Sequence, residues 1–142
     1  MASILVIEDH DTMREGLYAS ITRMCHFVVA TKNGAQGIAT YKQNADDFDF
    51  VITDLKMDDK NGMVVLRELK ELNSDLLLMI ITGYGTIDTA VEAMREGAYD
   101  FITKPFSKNE LLIRLDFQLQ MVAAKKEILR LNKELNHKFQ HS

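Results

Sequence analysis

The sequence lacks the residues that mark several common kinds of protein. It has one cysteine, Cys25, in 142 residues. That excludes an internal disulfide and a cysteine-rich zinc site, and it fits a reducing cytoplasm. As the only cysteine, Cys25 reads as a small apolar filler rather than a reactive thiol. The histidines (His10, His26, His137, His141) show no HExxH-type ligand spacing. No apolar run approaches the roughly 18 residues of a membrane span. The opening stretch, Met1 to Asp9, has no basic start and meets acids after four apolar residues, unlike a signal peptide. The glycine-rich Thr82-Gly83-Tyr84-Gly85 lacks the GxxxxGK[ST] spacing of a phosphate-binding loop. Neither an internal repeat nor a low-complexity segment is present.

Positive charge is also scarce where most of the chain lies. The formal net charge is −4, unevenly spread. Residues 1–106 hold 10 Lys and Arg against 17 Asp and Glu, whereas residues 107–142 hold 7 against 4. The body therefore lacks the basic surface that phosphate contacts to nucleic acid require. The mildly positive tail reads as a solvated helix face. The length and ordinary globular balance (46% hydrophobic, 27% charged) fit one domain with an appendage.

What is present is a regular alternation. Apolar runs at Ser3–Ile7, Phe27–Ala30, Asp49–Thr53, Leu76–Ile81 and Tyr99–Thr103 read as buried strands. Between them lie helical patterns. Asp11–Met24 puts Met13, Leu17, Ile21 and Met24 on one face, with Asp11 or Thr12 as cap. Ala35–Gln43 follows the Asn33-Gly34 turn and points Ala35, Ile38 and Ala39 inward. Met63–Leu72 buries Val65, Leu66, Leu69 and Leu72. Ile87–Glu96 buries Ala90, Val91 and Met94 and ends at Gly97 as C-cap. A last helix starts at Ser107, with Glu110 completing a capping box, and runs past Leu119 towards Phe139 without glycine or proline. Five strands alternating with five helices predict an α/β fold, a parallel sheet with helices on both faces and right-handed crossovers.

In such a sheet all strand ends of one kind share an edge, and ligands bind beyond the carboxyl ends. Those ends here carry Glu8-Asp9, Asp54, Thr82 and Lys104. An isolated aspartate after a strand is more often a turn cap, but four polar strand ends converging on one crevice favour chemistry. Crowded carboxylates repel unless a cation shares them. Mg²⁺, a hard ion that keeps waters and takes one or two carboxylates with a phosphate, suits them. Lys104 supplies a point charge and Thr82 a hydroxyl donor for phosphate oxygens. The set describes Asp54 as a nucleophile towards phosphorus, forming an aspartyl phosphate.

The ordered motifs ILVIEDH, VITDLKM, MIITGYG and DFITKPF closely resemble the receiver domain of two-component response regulators, over residues 3 to about 120. The resemblance implies a flavodoxin-like, doubly wound five-stranded parallel sheet of order 2-1-3-4-5, and a histidine kinase partner that donates phosphate to the aspartate. It implies Asp54 as phosphoacceptor, with Thr82 and Lys104 on the phosphoryl group. Asp9, Asp54 and the Lys56 backbone carbonyl would be Mg²⁺ ligands, with Glu8 binding directly or through water, and Thr82 and Phe101 the switch residues. It also implies a cis Lys104-Pro105 bond. Lys56 and Tyr84 fall where the family varies its phosphoryl lifetime. The family often has proline four residues after the acceptor, whereas here Asp58 stands there (KMDDKNG), which implies a more mobile and more acidic loop. The stretch TGYGTIDTAVEAMREGAYDFITKPF is similar to receivers of enhancer-binding activators that work with the sigma-54 polymerase.

The competing class is a Mg²⁺-dependent phosphohydrolase with an Asp nucleophile. Such hydrolases usually carry a second Asp two residues on as general acid, and Lys56 occupies that place, so a non-enzymatic switch module is expected. Residues 1–120 are expected to form the receiver and residues 121–142 a helical linker or coiled-coil extension. In that extension Met121, Ile128 and Leu135 take a-positions, and Ala124, Leu131 and Lys138 take d-positions. The expected assembly is a homodimer through the last helix and tail, with a possible downstream output domain, no membrane and no direct nucleic acid in this chain.

Overall fold

The computed structural model describes residues 2–24, 26–83 and 85–141, so the expectations for Cys25 and Tyr84 lie outside the described residues. The chain divides into two compact units, Met1–Lys108 and Asn109–Ser142.

The first unit holds five strands: β1 (Ser3–Ile7), β2 (Phe27–Thr31), β3 (Phe50–Asp54), β4 (Leu78–Thr82) and β5 (Asp100–Thr103). They form one parallel sheet in the order β2-β1-β3-β4-β5. β1, β3 and β4 are interior strands, and apart from the half-exposed Ser3 every residue in them is buried. This is why their sequences read as unbroken apolar runs. Side chains alternate between the two faces. Leu5, Ile7, Val51, Leu78 and Ile80 join the core built with Ile38 and Tyr41, then Val65, Leu66 and Leu69, then Ala93. Residues between them, such as Ile4, Val6, Phe50 and Ile52, are equally buried and point to the opposite face.

The helices α1 (Asp11–Arg23), α2 (Gly34–Gln43), α3 (Gly62–Leu72) and α4 (Ile87–Arg95) link the strands, and a 3-10 turn at Ala45–Asp47 precedes β3. Their starts and inner faces depart in places from the sequence expectations. The N-cap of α1 is His10, with no side-chain cap bond, and Asp11 is already helical. On α2, Ala35 and Ala39 are exposed, and the buried face is Gly34, Gly37, Ile38 and Tyr41. A Cβ at Gly37 would stand 2.4 Å from Ile7 Cδ1, so α2 approaches the sheet more closely than an alanine would allow. Leu72 of α3 is 48% exposed. On α4 the only buried residue is Ala93, while Val91 and Met94 lie open; its capping box is formed by Thr86 and Thr89. Gly97, with φ of 105°, ends that helix in the left-handed conformation expected of it.

The second unit is essentially α5 (Lys108–His141), one helix of 34 residues that starts right after Ser107. Leu111, Leu115 and Leu119, spaced by four, are buried. Ile113, Phe117, Met121, Ile128, Leu131 and Leu135 are exposed. At 100° per residue these lie broadly opposite the buried stripe, so one apolar seam runs unbroken from Ile113 to Leu135.

Candidate functional site

Register places the polar strand ends side by side. Ile7 of β1 pairs with Thr53 of β3, which sets Glu8 beside Asp54. Asp54 pairs with Ile81 of β4, and Thr82 pairs with Thr103 of β5. The chain leaves β5 into Lys104, whose backbone N–H donates to the Thr82 carbonyl at 2.7 Å. Glu8 N–H donates to the Thr31 carbonyl at 3.0 Å, extending the β1–β2 ladder by one residue. The backbone ladder thus delivers Glu8, Asp54, Thr82 and Lys104 to one edge.

There, carboxylate oxygens of Glu8, Asp9 and Asp54 lie within 4.8 Å of one another. Glu8 is fully buried and Asp54 nearly so; Asp9 is half-buried. The Lys104 ammonium bridges the pair, 3.3 Å from Glu8 Oε1 and 3.5 Å from Asp54 Oδ2. The other oxygens, Glu8 Oε2 and Asp54 Oδ1, are buried with no hydrogen-bond partner among the described residues. Burial is the main reason the Glu8 carboxyl is pushed up to about 7. The neighbouring Asp54 carboxylate adds to this, and Lys104 only partly offsets it. A single ammonium thus pairs with two of the three clustered carboxylates and leaves two buried oxygens unsatisfied, an arrangement that favours a further cation.

Thr82 is buried at the end of β4. Phe101, paired with Ile80 in the sheet, is half-buried against the core. Its ring edge reaches the turn after β4, where a Cβ on Gly85 would lie 2.7 Å from Phe101 Cε1. Lys56 is exposed, and the Lys104–Pro105 bond is cis, as the resemblance implies.

Three contributors escaped the sequence reading. Arg14 Nη1 donates to the Glu8 carbonyl at 3.0 Å while its other nitrogen pairs with Asp11. Gly62 closes the β3–α3 loop by donating to the Leu55 carbonyl at 2.6 Å; a Cβ there would sit 2.3 Å from the Asp54 carbonyl oxygen, so only glycine fits. Asp59 accepts the Gly34 and Ala35 amides at 3.0 and 2.8 Å. Gly62 was visible as the glycine of the KNG turn. The partners of Asp59 lie 25 and 24 residues upstream, and no local pattern announces them.

An open parallel sheet with an acid cluster and a lysine beyond its carboxyl edge defines an α/β domain with a charged ligand crevice at that edge. The family model for the response regulator receiver domain matches residues 4–116, and the chain belongs to that family. It is 35% identical over 130 residues to the C4-dicarboxylate transport transcriptional regulatory protein DctD of Pseudomonas aeruginosa, covering 90% of this chain and 28% of that protein. To the transcriptional regulatory protein FixJ of Rhizobium meliloti it is 30% identical, covering 89% of this chain and 61% of the relative. Among solved structures, a response regulator receiver domain protein from Clostridium thermocellum superposes with a TM-score of 0.81 at 31% identity, covering 91% of this chain and 99% of that one. NtrX from Brucella abortus gives 0.83 at 30% identity, covering 92% and 29%. The chain spans between a quarter and a third of the length of the first relatives it matches, 27% to 29%.

Proposed function

We propose that this chain is the phosphoacceptor switch of a two-component system, in which Asp54 takes a phosphoryl group from the phosphohistidine of a sensor kinase. The observation that carries this reading is the convergence of Glu8, Asp9 and Asp54 within 4.8 Å, with Lys104 3.3 Å from Glu8 and 3.5 Å from Asp54. An Asp54 oxygen attacks phosphorus, the P–N bond to the kinase imidazole breaks, and the imidazole keeps the electron pair. Lys104 exchanges a carboxylate contact for a phosphoryl oxygen, and Thr82 donates its hydroxyl to another. Glu8, Asp9, Asp54 and the Lys56 carbonyl would hold Mg²⁺, and the two unpartnered buried oxygens suit a hard cation. When bound, Mg²⁺ offsets the carboxylate charge and draws electron density from the phosphoryl oxygens. Thr82 moving towards the phosphoryl group would free space for the Phe101 ring, coupling chemistry to the α4–β5 surface. Lys56, exposed and cationic, stands where a hydrolase would need its general acid, so repeated turnover of phosphoesters is not expected.

The output of the switch is a change in how two copies pair. Residues 1–120 act as receiver and residues 121–142 as linker, with the exposed seam of α5 meeting a second copy in a parallel coil. The similarity to DctD and NtrX supports an output domain beyond this chain, as in activators that work with the sigma-54 polymerase. Intact mass after incubation with Mg²⁺ and a small acyl phosphate tests the acceptor: wild type gains one phosphoryl group and Asp54→Asn gains none. Undiminished labelling of Asp54→Asn would sink the assignment. Light scattering at about 50 μM, where even a weak specific dimer is populated, tests the pairing. A full-length chain that is monomeric both with and without phosphodonor rules out the coil.

A further inference from the structure

We infer that Asp59 is a positioning residue of the acid site: it clamps the loop after Asp54 onto the first turn of α2 and so fixes the backbone that presents the Lys56 carbonyl. The inference rests on the Mg²⁺ site proposed above. Its two carboxylate oxygens divide two neighbouring amides, Oδ1 taking Gly34 N–H at 3.0 Å and Oδ2 taking Ala35 N–H at 2.8 Å. Both are first-turn amides of α2 with no partner inside the helix. The next amide, of Gln36, goes to the Asn33 side chain at 2.8 Å, so Asp59 completes a cap that Asn33 alone leaves open. Bonds of a carboxylate to helix N-terminal amides are charge-assisted and aligned with the helix dipole.

The rest of the loop makes this clamp mechanically relevant. Its base is closed by the Gly62 to Leu55 backbone bond and by the Asn61 side chain, which accepts Met63 N–H at 2.7 Å. Leu55 and Met57 are buried on either side of exposed Lys56. The outer arm lies against α2, since a Cβ on Gly34 would stand 2.8 Å from Lys60 Cβ, and Lys60 reaches Glu68 at 3.3 Å. Between base and outer arm, residues 58 and 59 have no proline to restrict them; the only proline of the chain is Pro105. Asp58 is exposed. Asp59 is therefore the side chain that ties the tip of the loop to α2, while Lys60 ties the outer arm to α3. The acidic loop expected to be looser is anchored through one of its acids.

The test is Mg²⁺ binding by calorimetry together with amide hydrogen exchange on the full chain. Variants are Asp59→Ala, Asp59→Asn, Asp58→Ala and Asp54→Asn. Asp59→Ala is expected to weaken Mg²⁺ binding about tenfold, the lower end of losses from removing a supporting group. Exchange should rise at Gly34, Ala35 and across residues 56–60. Asp59→Asn keeps one carbonyl acceptor and should fall between. Asp58→Ala removes the same charge from the adjacent position and should cost less than about twofold at physiological salt. Equal losses in Asp58→Ala and Asp59→Ala would mean that only charge matters, and unchanged binding in Asp59→Ala would mean that the loop holds itself; either overturns this inference alone. If wild type takes up no Mg²⁺, or Asp54→Asn binds like wild type, the acid-site reading fails and this inference with it.

Discussion

Two groups of acids lie at and beyond the carboxyl end of β3, and the carboxylate group meets opposite physics in them. At the carboxyl edge, Glu8 is fully buried beside Asp54 with one lysine to share, and its carboxyl is pushed up to about 7. In the loop just beyond, Asp59 loses hydration too, but the backbone amides of Ala35, Gly34, Lys60 and Asp59 itself together outweigh that and hold its carboxyl below the ordinary value. The difference lies in donors rather than depth alone. Backbone amides at a helix start are fixed and aimed at Asp59, whereas the edge cluster has more oxygens than donors. The first arrangement stabilises the fold as it stands. The second leaves unsatisfied charge at the place where a cation and a phosphoryl group are proposed to enter.

The largest effect that separates the two groups is pH dependence without metal. Between the ordinary 4.5 and about 7, the native state binds a proton at Glu8 that the unfolded chain has released. Its contribution to stability is therefore full below 4.5 and lost as pH rises through 7, amounting to on the order of 3 kcal/mol at most. Urea midpoints in chelator should fall across that window in wild type and stay nearly flat in Glu8→Gln. A wild-type midpoint that climbs from pH 5 to 7 would remove the contrast. Next in size is Asp54→Ala in chelator at pH 8, where relief of repulsion with Glu8 should raise stability by about 1–2 kcal/mol, or a Tm gain of a few degrees. Added Mg²⁺ should raise the wild-type Tm and close that gap, because it binds the native state alone. An Asp54→Ala protein that melts below wild type in chelator contradicts the crowded-acid picture.

How much of this was legible follows the same division. The five strands and the convergence of Glu8, Asp9, Asp54 and Lys104 were readable because parallel pairing sends every carboxyl end to one edge; the strand order followed from the family resemblance alone. Strand starts shifted by a residue or two, as at β4, which begins at Leu78 rather than Leu76. The inner face of α2 was misread because Gly34 and Gly37 carry no side chain to mark burial, and Ala35 and Ala39 fit either side. On α4 and α5 the apolar periodicity was real, but periodicity does not say whether a stripe is covered. Val91, Met94 and the seam through Ile128 and Leu135 are open. The hold of Asp59 on α2 was invisible because it joins residues far apart in sequence.

A smaller effect tests the loop side of the comparison. Asp59→Ala should cost about 1 kcal/mol at neutral pH, the usual loss of a helix cap. Because the folded carboxyl lies below its ordinary 3.8, that stability is present above 3.8 and is lost as pH falls further. Wild type and Asp59→Ala should therefore converge in strong acid, the reverse of the Glu8 behaviour. Unfolding curves that stay separated at the lowest pH at which both fold would mean that the contribution is packing rather than charge.

The smallest expected effect concerns acids with a partner and little burial. Arg67 of α3 donates to Glu96 at 2.8 Å and reaches Glu92 of α4 at 3.2 Å, and its guanidinium is held more firmly protonated, chiefly by Glu96. Here each acid has a donor on one oxygen, although Glu96 Oε2 is buried without a partner among the described residues, and the donor is a long side chain in water rather than a fixed amide. Ordering it costs rotamer entropy, and salt screens what remains. Arg67→Ala should therefore lower Tm by about 1 °C or less at low salt and by nothing measurable at about 0.5 M, where screening acts over a few ångströms. The Glu8→Gln difference, arising from a buried group, should survive the same salt. If Arg67→Ala instead costs as much as Asp59→Ala, and does so in high salt, pairing alone would govern these acids, and the distinction drawn between fixed and mobile donors would fall.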